Sequence, residues 1–132
     1  MATHWTLGGD AADPQTLAAF WAFALGYIPE PGYDYADGAS IVDPDDVGPA
    51  IGFLRVSEPK TTKNRIHIDI RVAGKQPWDW VERAGLITAK AAALEDAGAE
   101  RVREENYTDM EGHSILGHVV MLDPEGNEFC VG

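Results

Sequence analysis

Residues 117–132 read G-H-V-V-M-L-D-P-E-G-N-E-F-C-V-G, and the order of that stretch sets the fold. The apolar run Val119-Val120-Met121-Leu122 enters a turn spelled Asp123-Pro124-Glu125-Gly126-Asn127. Pro124 fixes its own φ, Gly126 tolerates a positive φ, and the Asp123 carboxylate can accept backbone N–H groups. A second short strand, residues 128–131, leaves the turn. A hairpin of this kind needs neighbours, so the residues upstream must supply the rest of a sheet.

Residues 65–72, R-I-H-I-D-I-R-V, offer one such neighbour. Ile66, Ile68, Ile70 and Val72 alternate with His67, Asp69 and Arg71, which is the period of a strand. Between this strand and the hairpin, the spacing predicts a helix beginning between Trp78 and Ala84 and stopping near Gly98. Its buried stripe is read as Val81, Ala84, Thr88, Ala91 and Leu94. A strand over 100–106 and a loop over 107–114 complete this half.

The first half repeats the pattern. Residues 2–9 suit a strand, with Trp5 and Leu7 on one face and His4 and Thr6 on the other, broken by Gly8-Gly9-Asp10-Ala11-Ala12. Asp13-Pro14 opens a helix as N-cap and first residue, Leu17, Phe20, Trp21, Ala24 and Leu25 form its apolar stripe, and Gly26 stops it. Short strands follow over 39–42 and 50–56, where Ile51, Phe53 and Arg55 share a face. A polar connection spans 57–64. The expected fold is α+β: a single domain of two βαβββ modules, about 1–60 and about 64–132, forming a curved mixed sheet with a concave ligand face and helices outside.

Composition narrows the function. The 132 residues carry 22 acidic and 10 basic side chains, a formal net charge of -12, so nucleic acid is not an expected partner. No apolar run approaches the roughly 20 residues of a membrane helix, so no membrane partner is expected either. Cys130 is the one cysteine, so no intrachain disulfide can form, and no signal peptide is visible. The expected location is cytoplasmic. GxGxxG, P-loop, GxSxG and CxxC motifs are absent, which leaves nucleotide-binding and serine-hydrolase readings without support.

Three stretches carry a family likeness: Phe20-Trp21-Ala22-Phe23-Ala24-Leu25-Gly26-Tyr27, Lys63-Asn64-Arg65-Ile66-His67-Ile68-Asp69, and Asp123-Pro124-Glu125-Gly126-Asn127-Glu128-Phe129-Cys130. With the order of elements, they resemble the glyoxalase/bleomycin-resistance/dioxygenase superfamily, the vicinal oxygen chelate fold, and within it short glyoxalase-like domain proteins of actinobacterial type. The superfamily includes isomerases, epimerases, ring-cleaving dioxygenases, thiol transferases and metal-free antibiotic-sequestering proteins. Its metal-dependent members place His or Glu on the first and last strand of each half. Here His67 matches that pattern. His4 lies two residues before the matching place with the right parity, Ile51, Phe53 and Arg55 offer no ligand, and the final carboxylate position falls on Cys130, with Glu128 two residues earlier.

The resemblance therefore implies a small-molecule binder without a complete metal site or other cofactor. Its ligand-binding residues are expected to be His4, Phe53, Arg55, His67, Asp69, His118 and Cys130, with Arg55 anchoring an anionic or carbonyl-bearing ligand. The alternatives are a divalent-metal-dependent lyase, isomerase or dioxygenase-type enzyme using His67, His4 and Glu128, and a dimeric interaction module presenting Phe129, Val131 and Trp78 to Trp80. Relatives commonly form homodimers, so a homodimer is expected under each reading. Bland readings compete: His67 as a histidine bonded to Asp69 or Arg71, Cys130 as a small apolar residue, and the tryptophans as cover for a helix start. Tyr107, Met110, His113 and His118 are further candidates for the pocket border.

Overall fold

A computed structural model describes residues 1–33 and 35–132; Asp34 lies outside the described residues. The chain divides into two compact units, Met1–Thr61 and Thr62–Gly132. In the first, β1 (Leu7–Ala11) is followed by α1 (Pro14–Leu25), β2 (Ile28–Pro29), β3 (Gly38–Val42) and β4 (Ile51–Arg55). The second contains β5 (Asp69–Ile70), α2 (Trp80–Asp96), β6 (Glu100–Thr108), β7 (Ser114–Leu122) and β8 (Glu128–Val131). Each unit is thus βαβββ, and the fold class is α+β as expected.

The two sheets have the same topology, β1-β4-β3-β2 and β5-β8-β7-β6. In each, the first strand runs parallel to the last, with Leu7 opposite Ile51 and Asp69 opposite Cys130. The remaining neighbours are antiparallel. No helix among the described residues is long and apolar enough to cross a membrane.

Local chemistry accounts for the helix ends. The Asp13 carboxylate accepts from the Thr16 backbone N–H at 3.2 Å and from its hydroxyl at 2.6 Å, and Pro14 starts α1. Gly26 ends it in the left-handed region, φ 70°. Asp79 caps α2 by accepting from the N–H groups of Val81 and Glu82, both at 3.0 Å. The turn between β7 and β8 behaves as its sequence implies. Buried Asp123 accepts from the N–H of Glu125 at 2.9 Å and of Asn127 at 3.0 Å, and from the Asn127 side chain, while Gly126 has φ 84°.

Several expectations need correction. The strand expected over residues 2–9 starts only at Leu7, and His4, Trp5 and Thr6 precede it as exposed residues. Gly8 and Gly9 lie inside β1 instead of breaking it. The Phe53 ring packs where a Gly9 side chain would begin, 3.3 Å from that position, so the missing Cβ allows the close pairing. The strand expected over 65–72 shrinks to two residues, and Ile66 is exposed.

The buried stripe of α2 is Arg83, Ile87, Ala91 and Leu94, so Val81 and Thr88 face outward. Ala91 and Leu94 agree with the expected stripe, whereas its earlier turns are filled by Arg83 and Ile87. Phe129 and Val131 are fully buried, since α2 packs against β7 and β8, and they present no surface to a partner as proposed for an interaction module.

Two stability outcomes follow. Asp123→Ala removes the acceptor for several part-buried donors and is expected to lower unfolding stability by about 2–3 kcal/mol, read from the urea midpoint. The Asp13 carboxyl is held below its ordinary value, first by the Thr16 hydroxyl. A depressed folded value lends stability that is complete above the unfolded pKa and is lost as pH falls through the folded one. The urea midpoint should therefore decline as acid takes the pH below 3.8, and Asp13→Asn should flatten part of that decline.

Candidate functional site

The second unit builds an open cavity of about 510 Å3. Parallel pairing of β5 with β8 brings Asp69 beside Cys130, and the alternation along β8 buries Phe129 and Val131 while leaving Glu128 and Cys130 half-buried on the other face. His67 sits just before β5 and lines the cavity with Asp69, His118 and Cys130. Its Nδ1 is 2.8 Å from Asp69 Oδ1. The Cys130 thiol has its pKa pushed up, first by burial and then by the neighbouring Asp69 charge. One donor atom each from His67, Asp69 and Cys130 lie within 4.8 Å of one another.

Three aromatic rings also line the cavity. Trp78 and Trp80 meet edge to face with centroids 5.6 Å apart, and Trp80 and Tyr107 do the same at 6.1 Å. The Trp78 indole N–H donates to the Gly74 carbonyl at 3.1 Å. Gly117, on β7, leaves the room that the Tyr107 ring occupies, for a Cβ there would collide with it.

Arg83 completes the lining and was not singled out by sequence reasoning. It is only 5% exposed. A helical side chain leans toward its own N-terminus, and Arg83 lies over Trp78 at 4.5 Å and Trp80 at 5.3 Å from the ring centroids. Its Nη2 donates to the Gly117 carbonyl at 2.8 Å, while Nε and Nη1 are buried with no acceptor among the described residues. Burial lowers its pKa, the neighbouring Arg71 adds repulsion, and Tyr107 acts in the opposite sense. Each buried donor left without a partner costs on the order of 1–3 kcal/mol, and stacking on tryptophan returns about 0.5–2 kcal/mol. A signal for Arg83 was present in the sequence: stepping back by helical spacing from Leu94 through Ala91 and Ile87 arrives at 83, and Trp80 stands one turn before it.

The other expected site residues lie elsewhere. Phe53 is buried in the first unit, where it lines a separate cavity with Gly9 and Leu54. The Arg55 guanidinium donates to the backbone carbonyls of Ala12 and Ala36 and lies 3.7 Å from Asp37, so its donors serve its own loop. His4 is exposed ahead of β1. Glu128 accepts from the Asn64 N–H at 2.9 Å. Met110 and His113 are exposed, and His113 bonds Asp109.

Comparison with known proteins agrees with this architecture. The profile of the glyoxalase-like domain family matches residues 6–132. No curated protein matches. Among solved structures, a glyoxalase/bleomycin resistance protein/dioxygenase family enzyme from Burkholderia phytofirmans PsJN superposes with TM-score 0.68 at 16% identity, over 96% of this chain and 94% of its own. The genomically encoded fosfomycin resistance protein of Listeria monocytogenes, complexed with Mn(II) and 1S,2S-dihydroxypropylphosphonic acid, gives 0.66 at 11% identity, over 99% and 90%. A possible glyoxalase from Bacillus cereus gives 0.61 at 14% identity, over 99% and 98%. At these identities the structures speak for the fold alone. The chain belongs to the glyoxalase-like domain family.

Proposed function

We propose that this protein binds a small organic molecule in the cavity of its second unit and does so without a resident metal ion. The observation that carries the reading is the cavity itself: about 510 Å3 lined by three aromatic rings together with His67, Asp69, His118 and Cys130. Ligand pockets have this character, with apolar walls and a few convergent polar groups, and they hold about 300–1,000 Å3. Trp78, Trp80 and Tyr107 supply flat contact area, and the histidines and Asp69 supply orientation.

A second reading is a divalent-metal-dependent lyase, isomerase or dioxygenase-type enzyme. It draws on the convergence of His67, Asp69 and Cys130. The chemistry of that set favours the first reading. A catalytic centre takes three good protein donors and an open position. Here His67 Nδ1 and Asp69 Oδ1 are engaged with each other, the Cys130 thiol is biased toward its protonated form, and the Glu128 carboxylate is held by Asn64. His67, Asp69 and Cys130 could each lend an atom to a bound ion, but they do not make a finished set.

Thermal-shift screening with a metabolite library should return ligands. Gly117→Ala, which forces the Tyr107 ring to move, should weaken them about tenfold. Unaltered binding in that variant would move the site away from this cavity. Cys130 should react with iodoacetamide more slowly than free cysteine, at a rate indifferent to added Zn2+, and chelator should leave the melting temperature unchanged. Protection of Cys130 by Zn2+, with a melting temperature that falls on chelation, would favour the metal reading instead.

A further inference from the structure

We propose that Arg83 is the anion receptor of this cavity and that the ligand it takes is a flat organic carboxylate, an aromatic or conjugated ring system bearing a carboxyl group. The inference rests on the second unit being a small-molecule site and narrows that site to one chemical class.

Arg83 is a buried cation without a counterion. Its Nε and Nη1 meet no acceptor, and none of the ion pairs among the described residues includes it. Its position is unfavourable in a second way. It lies in the first turns of α2, where the helix dipole already presents positive charge. Arg71 lines the same cavity, 5.7 Å from the Trp78 ring, and adds further positive charge. The acids at hand are engaged: Asp79 with the N–H groups of Val81 and Glu82, and Asp69 with His67. An incoming anion supplies what the fold leaves out.

The shape of the site selects among anions. Nη2 gives one of its two hydrogens to the Gly117 carbonyl, and the other, together with whichever of Nε and Nη1 shares its edge, forms a two-donor edge that suits the two oxygens of a carboxylate. Trp80 and Tyr107 line the same cavity and offer ring surfaces for stacking. Because Nε and Nη1 are shielded from solvent, the carboxylate reaches them as the Trp78 indole moves off the guanidinium. Binding therefore perturbs tryptophan fluorescence.

The test uses the full chain with 2-naphthoate, its neutral isostere 2-naphthamide, and inorganic phosphate, followed by fluorescence and calorimetry. Naphthoate should bind at least tenfold more tightly than naphthamide, phosphate should not compete, and Arg83→Met should abolish the preference for the carboxylate. Should Arg83→Met fail to fold, NMR of isotopically labelled arginine side chains in the wild type decides. The Arg83 Nε–H signal, assigned through bonds from the backbone, should shift with naphthoate and not with naphthamide. Equal binding of the two probes, competition by phosphate, a preference that survives Arg83→Met, or an Arg83 signal indifferent to naphthoate would each overturn the inference. If neutral ligands bind the cavity without a carboxylate preference, the small-molecule reading stands and only the ligand class falls. If nothing binds, the screening library included, both fall.

Discussion

In each unit the first strand lies parallel to the last, and this pairing is the constraint on which the rest depends. Parallel neighbours cannot be joined by a tight turn. The chain must leave β1 or β5, build a helix and two further strands, and return alongside its starting point. The pairing of Asp69 with Cys130 is the product of that return. So the cavity, although formed within one unit, unites residues from both ends of it. The Asp123 turn contributes by fixing the angle at which β8 comes back from β7.

What could be read in the sequence and what could not divide along the range of the interactions. The cap at Asp13, the stop at Gly26 and the Asp123 turn are satisfied within five residues, so their donors and acceptors are visible in a short window. Strand limits depend on partners. β1 runs through two glycines because β4 pairs with it, and β5 is short although 65–72 alternates perfectly. In the candidate site, the family resemblance singled out His67 and Cys130, and the alternation along 65–72 put Asp69 on the same face as His67. Arg83 was not, because a charge in a helix reads as solvated. Its burial depends on the Gly117 carbonyl, 34 residues away, and on the two indole faces.

The electrostatics of the molecule run on two scales. The chain as a whole is strongly acidic, with a net charge of -12, whereas the cavity holds two guanidinium groups, from Arg71 and Arg83. At physiological salt the Debye length is about 8 Å, so the global charge is largely screened at the surface while buried groups are screened far less. An anion would gain little from long-range steering and much from contact. Such a site discriminates by fit once a ligand is inside, at the expense of speed in finding it.

The two sides of the cavity are unequally fastened. β6 and β7 form a long antiparallel ladder, with partners from Glu100 and Leu122 to Thr108 and Ser114. The segment with His67 and Asp69 is held to β8 through the Ile68 and Ile70 carbonyls and the Val72 N–H. Opening free energies within a protein range from near zero at weakly tied segments up to the global value. Peeling β5 from the sheet edge is thus a sub-global event that separates His67 from Cys130 while the ladder and α2 stay folded. A molecule bridging the two sides would act as a clasp, slowing amide exchange at Cys130 and Gly132 well before it altered exchange in the ladder.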